Sequence, residues 1–369
     1  MNHPIVKLNE ICRPKQWKTI AASALLEDGY PVYGANGKIG FFSEFTHESP
    51  TLMITCRGAT CGNVHISEPK SYINGNAMAL DDLDLSRVDI KYLYYFFKKR
   101  GFNDVISGSA QPQITGQGLT KVTVPLPPLK EQQRIAAILD KADAIRRKRQ
   151  QAIALADEFL RAVFLDMFGD PVTNPKGWRK KQCSEISRQI TVGLVIKPAS
   201  YYVEHGIPAI RSLNIKSSGI DKNNFVFFSK EDNEQRLAKS RVFAGDIVIV
   251  RSGQPGKAAV VPQDLDGVNA IDVLILRPDG SFIDPDYFAY FLNSGAGKRL
   301  VMAEGRGQIQ QHLNVGSLNQ AAVPVPPLDL QRRFVSVLKN IRRMFTIRNE
   351  SDDTDLTSAI SQRAFSGQL

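Results

Sequence analysis

Two long segments of the chain carry apolar residues at the spacing of an amphipathic helix. The first extends from about residue 130 to residue 168, where the glycine and proline of GDP (169–171) end it. At about 1.5 Å per residue, a helix of about 39 residues is roughly 58 Å long. Its apolar positions recur about every 3.5 residues, which is typical of paired helices. They include Ile135, Leu139, Ile153 and Leu160.

The apolar stripe of this helix is wider than a single helix pair needs. Ile145 and Phe159 are among the residues that widen it, so we expect contact with more than one partner helix. A second helical segment starts at about Leu330. Its apolar positions include Phe334, Leu338 and Ile341.

The charges along the two helices favour an antiparallel coiled coil. If the ends of the antiparallel helices match, the numbers of two residues that face each other sum to about 496. The basic block RRKR (146–149) then lies near the acidic ESDDTD (350–355). Residues 157–158, Asp-Glu, then lie near Lys339 and the Arg-Arg pair 342–343. A parallel pair would instead bring basic residues together.

The segments before each helix contain short β-rich runs, such as TLMIT and DIVIVR, and the apolar helical run DIKYLYYFF. These patterns predict mixed α/β domains. Because the prolines at 127–128 continue neither a strand ladder nor a helix, the chain leaves the first domain there. The predicted fold class is α+β, with domains at 1–125 and 170–324 and long helices at 126–169 and 325–369.

The same motifs recur in the same order in both halves of the chain. PLPPL, which starts at Pro125, recurs as PVPPL at Pro324, and MITCRGATCGNV matches VIVRSGQPGKAAV. The second match aligns Arg57 with Arg251 and Gly62 with Gly256, at an offset of 194 residues. Several matches in one order indicate a duplicated unit and a pseudo-two-fold molecule.

The net charge is +10 over 369 residues, which favours a polyanionic partner such as nucleic acid. The excess is spread evenly, since Lys plus Arg exceed Asp plus Glu by 2, 2, 4 and 2 in the four segments above. A chain that held DNA alone should be more strongly basic, because each neutralised phosphate needs a cation. Charge alone also fits an ordinary solvated surface.

The composition favours a cytoplasmic protein. The start, MNHPIVKLNE, has no signal-peptide core, and no stretch approaches 18 uninterrupted apolar residues. The four cysteines lack CxxC spacing, so we expect reduced thiols and no metal site.

The sequence offers almost no catalytic chemistry. GANGKIG and GQPGKAA contain glycine and lysine but lack the spacing of a phosphate-binding loop. The histidines are scattered, and neither a base-holding Asn/Asp-Pro-Pro-aromatic motif nor a carboxylate–lysine nuclease cluster is present. We therefore predict a non-enzyme without cofactor or metal.

Three motifs together resemble the specificity subunits of type I restriction–modification systems. They are PLPPLKEQQRIAAILD, FLDMFGDPVTNPKGW and the C-terminal AFSGQL. The segments YGANGKIGFF with CRGATCGNV, and GDIVIVRSGQPGKAAVV, look like the target recognition domains of that family. The resemblance covers essentially the whole chain.

This resemblance implies a non-catalytic subunit whose two recognition domains each read one half of a split double-stranded DNA sequence. The helices would act as a spacer and dock two methyltransferase subunits, and endonuclease subunits, where present, would join them. Partner subunits would supply much of the phosphate contact. Leu330-Gln331 departs from the family's Glu-Gln pair, which the first repeat keeps as Glu131-Gln132, so we expect weaker docking there.

Reading bases requires Arg, Lys, Asn or Gln on loops that reach the major groove. We expect these loops at 34–38, 57–63, 211–216 and 251–257. The candidates are Asn36, Lys38, Arg57, Thr60, Arg211, Asn214, Arg251, Gln254 and Lys257. The alternative for Arg57 and Arg251 is a structural role, which their recurrence favours, because residues that read different half-sites should differ.

Two further questions stay open at this point. The RRKR block either contacts DNA phosphates or pairs with the acidic segment across the coiled coil. The alternative functions are a free-standing bivalent DNA-binding regulator and a coiled-coil scaffold whose end domains bind protein.

Overall fold

The computed structural model describes residues 3–108, 111–302, 312–346 and 359–365. The chain forms two compact units, which comprise residues 1–152 with 348–369 and residues 153–347.

The first unit is a mixed α/β domain followed by the start of a long helix. Its strands are β1 (Ile5–Lys7), β2 (Arg13–Gln16), β3 (Tyr30–Gly34), β4 (Gly37–Phe42), β5 (Leu52–Thr55), β6 (Val64–Ile66), β7 (Tyr72–Ile73), β8 (Ala77–Asp81) and β9 (Thr123–Pro125). Its helices are α1 (Ile90–Arg100), α2 (Gly116–Leu119) and the first part of α3 (Leu129–Phe168). The sheets have the orders β2-β8-β5-β6 and β4-β3-β7, and β1 pairs with β9.

The second unit contains the end of α3 and another mixed domain. Its strands are β10 (Lys180–Gln182), β11 (Ser187–Val192), β12 (Tyr202–Val203), β13 (Ile207–Ile210), β14 (Ile215–Lys216), β15 (Gly219–Ile220), β16 (Val226–Phe228), β17 (Ile247–Val250), β18 (Ala258–Val260), β19 (Asn269–Ala270), β20 (Val273–Pro278) and β21 (Ala322–Pro324). Its other helices are α4 (Pro285–Asn293), α5 (Gly295–Met302), α6 (Val315–Gln320) and α7 (Leu328–Thr346).

The second unit repeats the topology of the first. Its main sheet has the order β11-β20-β17-β18, which matches β2-β8-β5-β6 strand for strand. Strand β13 runs parallel to β19 as β3 runs parallel to β7, and β10 pairs with β21 as β1 pairs with β9. The duplication predicted from the sequence is confirmed.

The central strands are continuously apolar because both of their faces are covered. In β17, Ile247 and Ile249 face the core that contains α4, whereas Val248 and Val250 face a second core. Strand β5 divides its side chains between two cores in the same way. Strands buried on both faces carry no polar alternation, which explains the runs LMIT and IVIV.

The long helix begins and ends where the sequence predicts. Helix α3 spans 40 residues and starts directly after the two prolines. Gly169, with φ +75°, follows its last residue, and the indole N–H of Trp178 donates to the carbonyl of Phe168 at 2.8 Å. The motif GDPVTNPKGW thus ends the helix and satisfies one of its last carbonyl groups.

The contacts of α3 confirm the antiparallel order. In the first unit, buried Ile135 and Leu139 share a core with Ala364. In the second unit, Leu160 shares a core with Leu338 on α7, and the rings of Phe164 and Phe334 are 5.5 Å apart. The start of α3 therefore meets the segment 359–365, and the end of α3 meets the start of α7. Ile153 is half-buried, and Ile341 packs against the core of the second unit.

The predicted charge pairing between the helices is present in part. Burial lowers the pKa of Arg342, and the nearby Asp286, Tyr290 and Asp157 oppose that shift. Lys339 instead pairs with Asp286 on α4 at 2.7 Å. The acidic segment 350–355 lies outside the described residues, so its pairing with RRKR stays a prediction.

All four cysteines are free thiols. Burial raises the pKa of Cys183 to about 12, which keeps it as an unreactive thiol. Among the described helices, none is long and apolar enough to cross a membrane.

Candidate nucleic-acid interface

The two candidate loops of the first unit lie side by side. Loop 34–38 is the turn of the β3–β4 hairpin, and Asn36 is exposed at its tip. The Thr60 hydroxyl lies 3.0 Å from Asn36 Oδ1 and 3.1 Å from the carbonyl of Ala35. The loops therefore form one surface, and Thr60 shapes that surface as well as lining it.

Two cations on this surface differ in their partners. Lys38 lies 3.4 Å from Glu68 Oε1 and 4.7 Å from the ring centre of Phe41. Arg57 is exposed, and its guanidinium makes no ion pair or hydrogen bond with any described residue. Its backbone is nevertheless anchored, because Arg57 forms a β-bridge with Gln113. An anchored backbone with an unpaired guanidinium suits contact with an external acceptor.

The candidate loops of the second unit follow equivalent strands. Loop 211–216 follows β13 as 34–38 follows β3, and loop 251–257 follows β17 as 57–63 follows β5. Asn214 is fully buried, and its amide nitrogen donates to the carbonyls of Asp221 and Asn223 at 3.0 and 2.9 Å. Its side chain therefore holds the loop together and does not face solvent, which corrects its placement among the base-reading candidates.

Arg211 and Arg251 are both engaged within the second unit. The Arg211 guanidinium donates to the carbonyl of Asn224. Arg251 Nη1 lies 3.2 Å from Asp272 Oδ1, and its Nη2 lies 2.8 Å from His312 Nε2. Of the two alternatives for Arg251, its contacts favour the structural one, a brace between two loops.

The backbone pairing corrects the sequence alignment of the two arginines. Thr55 pairs with the first residue of β8, and Val250 pairs with the first residue of β20. Thr55 and Val250 therefore occupy equivalent positions in the two units. The carbonyls that follow, of Cys56 and Arg251, accept from the equivalent N–H groups of Ile114 and Leu313. Arg251 thus occupies the position of Cys56.

The error arises from a loop that is one residue shorter in the second unit. Gly62 and Gly256 are equivalent as aligned, since each donates its N–H to the last residue of the preceding strand at 2.9 Å. Both have positive φ, +93° and +84°, which a glycine adopts without strain. Because Arg57 and Arg251 are not equivalent, their recurrence no longer favours a structural role for Arg57.

The remaining candidates lie on the short loop of the second unit. Gln254 is exposed, and its Oε1 accepts from Lys257 Nζ at 3.0 Å. Both side chains can give up this mutual hydrogen bond and bind an external partner instead.

The basic block 146–149 has a partner on its own helix. Arg146 and Arg147 lie 2.7 and 3.2 Å from the carboxylate of Asp143. Burial acts to raise the pKa of Asp143. The hydrogen bond from Arg146 and the charges of Arg146 and Arg147 outweigh this effect, so the pKa of Asp143 is lowered. Part of the charge of the block is thus balanced within α3.

Helix α3 also presents apolar side chains to solvent in the second unit. Leu155 and Phe159 are 64% and 50% exposed. Leu155 is nine residues from the buried Phe164, or about two and a half turns, so the two point to opposite sides of the helix. This exposed face explains why the apolar stripe is wider than one helix pair requires.

The described residues contain no group of three or more His, Cys, Asp or Glu side chains arranged to hold a metal ion.

Comparison with known proteins identifies related sequences and folds. The family described as "Type I restriction modification DNA specificity domain" matches residues 3–155 and 175–354. The MjaIX specificity subunit of Methanocaldococcus jannaschii is 25% identical over 314 residues, which cover 78% of this chain and 70% of that protein. The EcoBI specificity subunit of Escherichia coli is 25% identical over 293 residues, which cover 69% of this chain and 60% of that protein.

A solved structure shares the fold. The type I restriction–modification S subunit from M. genitalium matches with a TM-score of 0.70 and 17% identity, covering 99% of this chain and 96% of that one. At this identity the likeness shows the fold alone.

Proposed function

The chain belongs to the type I restriction–modification DNA specificity family, and from this premise we propose that it reads a two-part, asymmetric DNA sequence for a methyltransferase. The observation that carries the proposal is one topology built twice with different side chains on equivalent loops. Arg57 and Ser252 occupy equivalent positions, as do Asn63 and Lys257. Repeats that differ at their exposed loops suit two different half-sites.

The first unit would read its half-site through Asn36, Arg57 and Thr60, with Lys38 beside them. The second would use Gln254 and Lys257, with Arg211 and Arg251 holding its loops. We place the recognition domains at 1–125 and 170–324 and the helices at 126–169 and 325–369. This division is supported by β9 and β21, which end at Pro125 and Pro324.

The decisive experiment compares the methylomes of cells that express the partner methyltransferase with and without this chain. We expect adenine methylation at one asymmetric split motif only when the chain is present. An unchanged methylation pattern with an active methyltransferase would refute the proposal. A free-standing regulator would bind a split site without changing methylation, and a protein scaffold would select no DNA sequence.

The exposed face of α3 is the surface we propose for docking methyltransferase subunits, two of them in the complete enzyme. Exposed apolar side chains on a helix that is otherwise packed mark an interaction site. In the complex, endonuclease subunits would join this core where the enzyme contains them. The chain itself would carry out no catalysis and act in the cytoplasm.

Replacing Phe159 by glutamate should weaken this docking. Because Phe159 is already half-buried, losing the rest of its burial costs about 0.8–1.5 kcal/mol, or roughly fourfold to twelvefold in affinity. Titration of the purified chain with methyltransferase measures the effect. The matched control is Ala154→Glu, an exposed position on another side of the same helix. Equal affinities of the two variants would exclude this face as the docking surface.

A further inference from the structure

A buried glutamine locks each long helix to the domain that precedes it. In the first unit, Gln132 lies in the first turn of α3 and has no exposed surface. Its Oε1 accepts from the backbone N–H of Asp89 at 2.9 Å. Its Nε2 donates to the carbonyls of Arg87 at 2.8 Å and of Pro127 at 2.9 Å.

The second unit repeats the same three hydrogen bonds. Gln331, in the first turn of α7, is also fully buried. Its Oε1 accepts from the N–H of Asp284 at 2.8 Å, and its Nε2 donates to the carbonyls of Phe282 at 3.0 Å and Pro326 at 2.8 Å. The three hydrogen bonds are the same in both units, although Glu131 before the first glutamine is replaced by Leu330 before the second. This replacement therefore leaves the hydrogen bonds of the glutamine unchanged.

Each buried glutamine joins three parts of the chain through its hydrogen bonds. Asp89 and Asp284 cap the N-termini of α1 and α4, which belong to the domains. The proline carbonyls belong to the turn that leaves the domain, and the glutamine belongs to the long helix. One side chain therefore connects domain, turn and helix.

Only a primary amide of this length satisfies all three groups. The site offers one N–H donor and two carbonyl acceptors, so the side chain must accept once and donate twice. Glutamate lacks the two donors, and an apolar residue lacks every partner. This chemistry explains why glutamine occurs at both positions although the residue before it differs.

We propose that Gln132 and Gln331 are positioning residues that fix the direction of each helix relative to its domain and thereby the gap between the two half-sites. This inference rests on the proposed function. A swing of about 3° at the start of α3, a helix about 60 Å long, moves its far end by about 3 Å, which is close to the rise of one base pair. Discrimination between gap lengths therefore needs a rigid junction.

The test measures methylation of duplexes that carry both native half-sites with the native gap or a gap longer or shorter by one base pair. The variants are Gln132→Met and Gln331→Met, assayed in the assembled complex. We expect the ratio of rates on native and altered gaps to fall about tenfold or more, with preferences at the half-sites unchanged. Gln133→Met, at an exposed neighbouring position, should leave the ratio as in wild type.

A purely structural role would lower the rate on every duplex and the melting temperature while leaving the ratio unchanged, and that result would overturn the proposal. If a methionine variant does not fold, Gln132→Asn, which keeps a shorter amide, decides by the same ratio. Failure of the wild-type complex to methylate any split sequence would refute the proposed function instead, so the two failures are distinguishable.

Discussion

Replacing Phe334 by alanine is expected to lower the free energy of unfolding of the second unit by about 3–5 kcal/mol. Phe334 is fully buried where α3, α4 and α7 meet. Its ring centre lies 5.5 Å from that of Phe164, 5.6 Å from that of Phe168 and 4.9 Å from that of Tyr290. Removing the ring leaves a cavity between α7 and the large side chains of α3 and α4, which cannot close without shifting those helices.

Urea denaturation followed by tryptophan fluorescence measures this loss. The chain has two tryptophans, one in each unit, so a Trp17→Phe background leaves Trp178 to report on the second unit. The control is Phe159→Ala, because that ring is half exposed and its loss should cost under about 1 kcal/mol. Equal costs for the two variants would contradict the packing of α3 against α7.

Replacing Arg57 by alanine is expected to weaken discrimination at the first half-site by about 1–3 kcal/mol, or about 5-fold to 150-fold. The guanidinium is exposed and unpaired among the described residues, on a backbone held by Gln113. A bidentate contact with a guanine edge accounts for a loss of this size. Discrimination at the second half-site should stay as in wild type.

Binding to duplexes with single substitutions in either half-site separates base contact from phosphate contact. If Arg57 contacts phosphate, Arg57→Ala weakens binding to all sequences equally and lowers the salt dependence by about one charge. Arg251→Ala is the comparison, because Asp272 and His312 already hold that guanidinium. A larger loss of base discrimination for Arg251→Ala than for Arg57→Ala would refute our assignment.

The helices show how much local pattern predicts. Helix α3 extends over about eleven turns. It is bounded by Pro128 and Gly169, two residues whose backbone properties do not depend on the rest of the fold. The antiparallel order can also be predicted from the sequence, because it places basic residues of one helix beside acidic residues of the other.

The candidate DNA-reading loops show where local sequence patterns fail to predict the structure. Asn214 was a reasonable candidate by residue type, yet its amide is used by two carbonyls later in the chain. The sequence match of Arg57 with Arg251 is wrong because the loop that carries Arg251 is one residue shorter. Two arginines at the same sequence offset therefore occupy different structural positions. Strand pairing resolves the equivalence, and that pairing joins segments about 20 residues apart.

The recurrence of glutamine after each proline pair was visible in the sequence, but its role was not. The partners of Gln132 are backbone groups of residues 87, 89 and 127, and backbone groups leave no signature in residue type. Only the folded chain brings them to one side chain.

The duplication, the extent of α3, the antiparallel order of the helix pair and the family can all be predicted from the sequence alone. These depend on spacing, on proline and glycine, and on motifs within short segments. Which candidate loop side chains stay exposed, and what holds each helix to its domain, are visible only in the folded chain. Hydrogen bonds and burial at those positions depend on residues elsewhere in the chain, and only the folded backbone sets how these residues approach one another.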